Sequence, residues 1–238
     1  MHSVTCQEGS LKREPASASP TLYVVDDDDS TVEVLRLLLK TVGLQVQAYA
    51  SAVAFIEDYA PDRPGCILMD LRLPDLNGIE AVIRLHEQAK AVKVRMMPVI
   101  MISGFLCPSV MGRAVRQGVV DFFEKPFDKD LLLESIQHWL RHDIGAHNKW
   151  QRYQAVKARI DALSRREQQV LMLMLDGMSN KNIARDLGVS PKTIEVYRAN
   201  LMRKMGAPTA VCLVAQVLGC LEASSQSRMY PSCLRGAR

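Results

Sequence analysis

The first half of the chain alternates short apolar runs with amphipathic stretches. The runs have strand length and are rich in β-branched residues, whereas the stretches repeat their apolar positions every three or four residues, as helices do. The predicted strands of this kind are Leu22–Val25, CILM (66–69), PVIMI (98–102) and VVDFF (119–123). A fifth, residues 44–48, alternates apolar residues with glutamines, as a strand at the edge of a sheet does. Five strand–helix units at this spacing predict a doubly wound α/β domain with a five-stranded parallel sheet.

Several helix boundaries in this half carry recognisable signals. Ser30 is a predicted N-cap of the first helix, which ends near Gly43, and Ser51 is a predicted N-cap of the second. The last helix is predicted to run from Asp128 to Arg141, because the apolar pattern pauses at 143–145.

The second half shows helical patterns only. Ser164 and Glu167 form a capping-box pattern, and Ser179 and Ser190 each precede a further short helix. Two short helices joined by a turn of about three residues predict a helix-turn-helix, within an all-α domain of four helices.

A helical linker, residues 142–160, is predicted between the halves. Trp150, Tyr153, Val156 and Ile160 fall on one side of it. This stripe can pack on one of the chain's own domains, or it can form a short coiled-coil seam between two chains. Four positions are too few to decide between these alternatives.

Charge divides the chain in the same place. Residues 1–150 contain 16 Lys and Arg against 20 Asp and Glu, a net charge of −4, whereas residues 151–238 contain 14 against 6, a net charge of +8. This asymmetry predicts two domains, with a polyanion as the partner of the second.

Targeting signals and metal-binding cysteine motifs are not evident in the sequence. The six cysteines are scattered, the first twenty residues lack the apolar core of a signal peptide, and the apolar stretch 210–221 is too short to span a bilayer. We therefore expect a soluble cytoplasmic protein with reduced thiols and no membrane partner.

Chemically active side chains follow the ends of four predicted strands. Asp26 and Asp27 follow the first strand, Asp70 ends the third, Ser103 ends the fourth and Lys125 lies just beyond the fifth. The carboxyl ends of parallel strands meet at one rim, where such sheets bind ligands. Alone, each residue is usually a turn, a cap or a solvated surface group. Together they predict a site.

The residue types at this rim suit phosphoryl transfer. Three carboxylates need a cation, and oxygen ligands suit Mg²⁺. Asp70 is then a plausible phosphoryl acceptor, with Lys125 neutralising phosphoryl oxygens and the Ser103 hydroxyl donating a hydrogen bond to one of them.

The third helix of the second half has one face that could enter a DNA major groove. Ile194, Leu201 and Met205 are its predicted core positions. The predicted groove-facing residues are Lys192, Glu195, Val196, Ala199 and Arg203. The predicted phosphate contacts are Lys192, Thr193, Arg198, Arg203 and Lys204.

Four ordered blocks resemble the receiver domain of two-component response regulators. They are VVDD (24–27), MDLRLPDLNG (69–78), ISG (102–104) and FFEKPF (122–127), within a resemblance that covers residues 20–141. The resemblance implies that Asp70 accepts a phosphoryl group from a sensor histidine kinase. It also implies that Asp27, Asp70 and the Arg72 carbonyl bind Mg²⁺, with Asp26 acting through water. Asp28 and Asp29 are then helix N-terminal acids.

The same resemblance implies a conformational switch. Ser103 would move toward the phosphoryl group and Phe122 would turn inward to fill the space, although Phe122 is equally well explained as a core residue. The segment GFLCPSV (104–110) departs from the glycine- and aspartate-containing loop of close relatives. The shape of the surface that changes on activation is therefore not predicted.

Residues 160–222 resemble the LuxR-type helix-turn-helix domain, on the stretch from LSRREQQVL to PKTIEVYRANLMRKM. Tyr197 stands where this family usually has histidine. The resemblance implies a fourth helix, about Thr209–Leu221, that often forms the dimer interface. Its apolar positions exceed one core-facing stripe, which fits that role.

The sequence is thus interpreted as a response regulator of the FixJ/NarL class, a transcription regulator rather than an enzyme. Its expected segments are a disordered 1–19, a receiver at 20–141, the linker at 142–160, the DNA-binding domain at 161–222 and a disordered 223–238. Expected partners are the kinase, double-stranded promoter DNA, a second copy on activation and, as a further candidate, RNA polymerase.

Two alternative functions remain open at this stage. One is a constitutive DNA-binding regulator whose degenerate receiver serves assembly. The other is a metal-dependent aspartyl phosphotransferase of the haloacid-dehalogenase type, which expects its Asp-x-Asp-x-Thr block at the first strand, where this chain has DDDDST.

Overall fold

The computed structural model describes residues 19–92 and 94–226, with the backbone alone for 221–226. These residues form two compact units that divide between Gly145 and Ala146. The segments predicted to be disordered lie outside the described residues, apart from 19 and 223–226.

The N-terminal unit contains a five-stranded parallel sheet, as the pattern predicts. The strands are β1 (Thr21–Val25), β2 (Gln45–Tyr49), β3 (Gly65–Asp70), β4 (Val99–Ser103) and β5 (Val119–Glu124). Their spatial order is β2-β1-β3-β4-β5, and every neighbouring pair is parallel. The chain reverses its direction of winding between β1 and β3, which is the topological switch point of the sheet.

Helices connect these strands and make up the C-terminal unit. Those that lie wholly in the N-terminal unit are α1 (Asp29–Lys40), α2 (Ala52–Asp58), α3 (Gly78–Val92) and α4 (Pro108–Arg116). Helix α5 (Lys129–Asp161) is continuous across the unit boundary. It is followed by α6 (Arg165–Leu175), α7 (Asn180–Leu187), α8 (Pro191–Met205) and α9 (Ala210–Gln226).

Alternate residues of each strand enter one of two hydrophobic cores. On one face of the sheet, Tyr23 and Ile67 pack with Phe55 of α2 and Leu85 of α3. On the other face, the core contains strand residues together with residues of α1 and the first part of α5: Leu22, Leu68, Leu35 and Ile136. Burial on both faces explains why β1, β3 and β4 read as continuous apolar runs, whereas β2, at the edge of the sheet, alternates apolar residues with glutamines.

The predicted end of the last receiver helix at Arg141 is wrong, because α5 continues to Asp161. Asp143 looks like a helix-ending residue in the sequence, but it is buried and ion-paired with Arg95, and it accepts a hydrogen bond from the Gly65 N–H at 2.7 Å. A glycine inside a helix costs only about 1 kcal/mol, so Gly145 alone does not end it.

The predicted N-cap of α1 is also wrong. Asp28, not Ser30, caps this helix: its carboxylate accepts from the Ser30 backbone N–H at 3.0 Å and from the Thr31 hydroxyl at 2.8 Å. A hydrogen bond from the Ser30 hydroxyl, together with these two, lowers the pKa of Asp28 to about 2, so the cap remains ionised and interacts favourably with the positive end of the helix.

The C-terminal unit has its own core, which includes Val170, Ile183, Ile194 and Leu201. The predicted capping box is confirmed, with the Ser164 hydroxyl accepting from the Glu167 N–H and the Glu167 carboxylate accepting from the Ser164 N–H. Ser179 and Ser190 cap α7 and α8, and each serine hydroxyl accepts from the backbone N–H three residues later. Helices α6, α7 and α8 therefore begin where the helix-turn-helix pattern predicts.

The structure bears on the two alternatives for the linker stripe and on the predicted end of the fourth helix. Val156 and Ile160 are half-buried against the core of their own unit, which favours packing over a coiled-coil seam for these two positions. Helix α9 continues to Gln226, four residues past the predicted domain end at 222. Within the described part of the chain, no helix is long and apolar enough to cross a membrane.

Candidate functional site

The structure brings two of the predicted carboxylates and the predicted lysine into direct contact at the switch point. Asp26 follows β1, Asp70 ends β3, and the Lys125 ammonium reaches both from beyond β5. The distances from Lys125 Nζ are 2.7 Å to Asp26 Oδ2 and 2.5 Å to Asp70 Oδ2. Both carboxylates are buried. The rim that the strand ends predict is therefore formed.

Burial and the neighbouring charged groups shift the pKa values of Asp26 and Lys125 in opposite directions. Burial raises the pKa of Asp26 above its ordinary value, against the hydrogen bond from Lys125. Burial by itself would lower the pKa of Lys125, but its hydrogen bonds to Asp26 and Asp70 outweigh that effect and the pKa is raised. The ammonium is therefore held in its charged form between two carboxylates.

The remaining oxygens of the two carboxylates are held by backbone groups. Asp26 Oδ1 accepts from the Asp28 N–H at 3.0 Å, and Asp70 Oδ1 accepts from the Arg72 N–H at 2.8 Å. These bonds fix the orientation of both side chains relative to the rim. Asp27 and Arg72, which were predicted to complete a metal site, are exposed.

The donors at the rim fit a magnesium ion in type and in charge. Asp26, Asp27 and Asp70 carry three negative charges against one positive charge on Lys125, which leaves two for a divalent cation, and all the candidate ligands are oxygens. Within the described residues, however, no three Asp, Glu, His or Cys side chains are grouped closely enough to enclose a metal ion.

Ser103 lies at the predicted strand end, but its hydroxyl is engaged elsewhere. The side chain is fully buried, its hydroxyl donates to the Phe105 carbonyl at 2.9 Å, and it accepts from the Phe105 N–H at 3.2 Å. The structure thus holds Ser103 to the loop after β4.

Phe122 occupies an intermediate position on β5. It is half-buried and packs against the core that contains Met101 and Val119. The pairing of β5 with β4 shifts register between Val99 and Ile100, just before this position. Phe122 therefore contacts the core while retaining an exposed part of its surface, which is compatible with either of the two predicted roles.

Sequence reasoning missed a residue that orders the loop after β3. Asp75 accepts from the Ser51 hydroxyl at 2.7 Å and from the Val53 N–H at 2.8 Å, so it caps α2 from outside that helix. Partial desolvation raises the pKa of Asp75, but these hydrogen bonds outweigh it and the pKa is lowered. The loop that carries Arg72 is thereby tied to α2. The sequence gives little indication of this role, because Asp75 and Ser51 are 24 residues apart.

The predicted DNA-facing side of α8 is accessible. Val196 is 56% exposed, which is unusual for a large apolar side chain. Exposed with it are Lys192, Glu195, Ala199 and Arg203, whereas Thr193 and Arg198 are half-buried. The Thr193 side chain also exchanges a 2.8 Å hydrogen bond with Ser190 at the start of the helix.

Lys204, one of the predicted phosphate contacts, is paired with a carboxylate of its own unit. Its ammonium lies 2.7 Å from Glu167 Oε2, and the Glu167 carboxylate is almost fully buried. The hydrogen bond from Lys204 is the main cause of the lowered pKa of Glu167. Lys204 therefore joins the end of α8 to the capping box of α6, and phosphate would have to compete with a buried carboxylate for it.

Comparison with protein-family models assigns both halves. The model described as "Response regulator receiver domain" matches residues 22–137, and "Bacterial regulatory proteins, luxR family" matches residues 161–217. The chain is 38% identical over 197 residues to the transcriptional regulatory protein FixJ of Azorhizobium caulinodans, with 83% of this chain and 91% of that protein covered. The chain is a two-component response regulator. It belongs to the FixJ/NarL class, with a receiver domain and a LuxR-type helix-turn-helix, and it acts as a transcription factor.

Other relatives agree with this assignment. The response regulator is 34% identical over 200 residues to the response regulator protein TodT of Pseudomonas putida, with 84% of this chain and 85% of that protein covered. The solved structure of the response regulator StyR matches with a TM-score of 0.73 at 34% identity, over 84% of this chain and 99% of that one. The predicted fold class is thus confirmed.

Proposed function

We propose that a sensor histidine kinase phosphorylates Asp70 and that this covalent mark controls binding of the helix-turn-helix to promoter DNA. The contact of Asp26 and Asp70 with one lysine, at the switch point of the sheet, is the observation that supports this proposal most strongly. A phosphoacceptor needs an ionised carboxylate with a cation beside it, and Lys125 supplies that cation.

The side chains at the rim would divide the work of phosphoryl transfer. Asp70 would attack phosphorus through a carboxylate oxygen, and the Lys125 ammonium would stabilise negative charge on the phosphoryl oxygens. Asp27, Asp70 and the Arg72 carbonyl would hold Mg²⁺, with Asp26 acting through water. When bound, Mg²⁺ neutralises charge on the transferred group.

Ser103 and Phe122 would respond to the phosphoryl group. To donate to a phosphoryl oxygen, the Ser103 hydroxyl has to give up the hydrogen bond that it donates to the Phe105 carbonyl, which is worth about 1 kcal/mol net. A charged acceptor repays this cost, because hydrogen bonds to charged groups are stronger. Phe122 has no hydroxyl, so packing alone would govern an inward movement.

The output half would bind DNA through α8. Lys192, Arg198 and Arg203 would contact phosphates, together with Thr193, while Glu195, Val196 and Ala199 would face base edges in the major groove. We place α9 at a homodimer interface, because Val211 is 77% exposed and Leu218 is 48% exposed on that helix. Paired half-sites would then match the twofold symmetry of the dimer.

The proposal also implies that the protein is not an enzyme acting on other molecules. It would assist only its own phosphorylation and dephosphorylation, with no small-molecule substrate to turn over. RNA polymerase is a further candidate partner. Since the protein must reach promoter DNA, we place it in the cytoplasm.

An Asp70→Asn variant tests the control of DNA binding. Wild type treated with acetyl phosphate and Mg²⁺ is expected to take up one phosphoryl group and to shift toward the dimer, with tighter binding to DNA, whereas the variant should do none of these. Intact-mass analysis, light scattering and DNA titration measure the three steps. If Asp70→Asn and wild type dimerise and bind DNA identically after the same treatment, the receiver is degenerate and the constitutive alternative holds.

Arg203 and Lys204 form a matched pair for testing the DNA surface. Arg203→Gln should lower affinity for DNA of any sequence and reduce the slope of log affinity against log salt by about 1, because one phosphate contact is lost. Its stability should change little, since the side chain is exposed.

Lys204→Gln should instead lower the free energy of unfolding of the C-terminal unit by about 1–3 kcal/mol, because a buried carboxylate loses its charged partner. The lowered pKa of Glu167 means that this stability is present above its ordinary pKa of 4.5 and is lost as the pH falls through the folded value. Urea unfolding at pH 7 and salt-dependent DNA titration separate the two variants. Identical behaviour of both would contradict the assignment of Lys204.

A further inference from the structure

A cavity of about 530 Å³ lies within the C-terminal unit, between the last turns of α5 and helix α9. Its volume falls in the range of small-molecule sites in proteins. Its walls are mainly apolar and include Val156 of α5 together with Ala215 and Gly219 of α9. It is separate from the proposed phosphoacceptor rim and from the groove-facing side of α8.

The charged side chains that line this cavity are all positive. Lys149, Arg152 and Arg159 lie at intervals of three and seven residues, on one side of α5. None of the lining side chains in the described part of the chain is acidic. An open cavity with apolar walls and a cationic border favours an occupant that has an apolar body and a negative head.

A hydrogen-bonding group inside the cavity lacks a protein partner. Gln216 lines the cavity, and its Oε1 atom is buried and accepts no hydrogen bond from the described residues. Such an atom costs free energy unless something satisfies it. A ligand that carries an N–H or O–H beside its apolar body would do so.

Other occupants fit the charges less well. The exposed side chains proposed for the homodimer interface, Val211 and Leu218, do not line the cavity, and a second copy docked into the cavity by twofold symmetry would bring the two sets of cations toward each other. The chain's own terminal residues 227–238 contain three arginines and no acid, so charge does not favour them either. A DNA backbone offers phosphates but would leave the apolar walls in water. We propose that this cavity binds a small amphipathic anion, with a carboxylate or sulfonate head and an aromatic or aliphatic body.

The cavity lies close to α8, the helix proposed to bind DNA. The Arg159 guanidinium, which lines the cavity, also donates to the Met205 carbonyl at the end of α8 at 3.0 Å. A ligand that binds Arg159 would thus contact a side chain that is itself hydrogen-bonded to that helix. The binding proposal itself does not depend on the proposed DNA function, and its test uses no DNA.

The test uses the full-length chain and 8-anilinonaphthalene-1-sulfonate, a fluorescent dye with an aromatic body, an N–H and a sulfonate. Wild type should bind one dye molecule saturably. Lys149→Gln should raise the Kd about fivefold, because one charged contact is lost. The matched control is Lys157→Gln, on the same helix but paired with Asp161 and outside the lining, and it should leave the Kd unchanged.

A second variant fills the cavity without touching a charge. Gly219 has no atom within 4 Å of the position of an added Cβ, so Gly219→Phe can project into the space, and saturable dye binding should be lost. Circular dichroism of this variant checks its fold, and Lys149→Gln keeps the test valid if it does not fold. Equal Kd values for Lys149→Gln and Lys157→Gln would overturn the proposal. So would binding that does not saturate, or dye release on dimerisation, which would make a second copy the occupant.

Discussion

Asp143→Ala is expected to lower the free energy of unfolding of the N-terminal unit by about 3–5 kcal/mol. The substitution removes the carboxylate that receives two hydrogen bonds from the buried Arg95 guanidinium, and it also removes the acceptor of the Gly65 N–H at the start of β3. Breaking a buried ion pair from one side is costly, because the remaining charge stays in a poorly solvated environment.

Urea unfolding together with hydrogen exchange of the β3 amides measures this effect. The control is Asp161→Ala, at the C-terminal end of the same helix, where the partner Lys157 is 3.5 Å away and the carboxylate is 63% exposed. Exposed pairs of this kind contribute less than about 1 kcal/mol. Replacing both members of the buried pair, as Arg95→Met with Asp143→Leu, should recover part of the loss. An Asp143→Ala variant as stable as Asp161→Ala would mean that the pair contributes nothing.

Gly78→Ala is expected to impair the phosphoacceptor site itself. An added Cβ at residue 78 would lie 2.4 Å from the Asp70 carbonyl oxygen and 3.1 Å from Leu71 Cα. Both are backbone atoms, so the end of β3 must move. A displacement of about 1 Å at a reacting group can cost about 100-fold in rate, and overpacking costs about 1–3 kcal/mol of stability.

Phosphoryl uptake from acetyl phosphate, followed by intact mass, measures the first effect, and urea unfolding measures the second. Gly145→Ala is the matched control, because residue 145 lies inside helix α5 and has open space around an added Cβ. It should stabilise the chain by about 0.5–1 kcal/mol and leave phosphoryl uptake unchanged. Uptake by Gly78→Ala at the wild-type rate would show that β3 can relax without disturbing Asp70.

The strand ends and the rim could be predicted because both follow from local pattern and from one topological rule. A buried parallel strand has to read as an apolar run, and its carboxyl end has to lie beside those of its neighbours. The convergence of Asp26, Asp70 and Lys125 needed nothing further. The capping box of α6 was equally local, since its two residues are three apart.

The missed features depend on partners that are distant in the chain. Asp143 meets Arg95 across 48 residues, and Lys204 meets Glu167 across 37. A helical pattern shows which face a residue occupies, but it does not show which side chain on another element lies opposite. An aspartate beside a glycine therefore resembled a helix end, and the carboxylate partner of Lys204 was not foreseen. The Asp28 cap was missed for a different reason, because Ser30 offered a competing cap two residues later.

The aspartate run has a consequence for tolerated length changes. Asp26 lies at the rim and Asp28 is the N-cap of α1. The number of residues between the N-cap and Leu35 therefore determines which side of α1 faces the sheet. Each residue turns a helix by about 100°. Deleting one aspartate would still leave a carboxylate at the rim and another at the cap, but it would rotate the side that carries Leu35 away from the sheet and bring neighbouring polar positions inward. The length of this run of four identical residues thus determines which side of α1 packs on the sheet. A homologous chain with three or five of them would need a compensating change within α1.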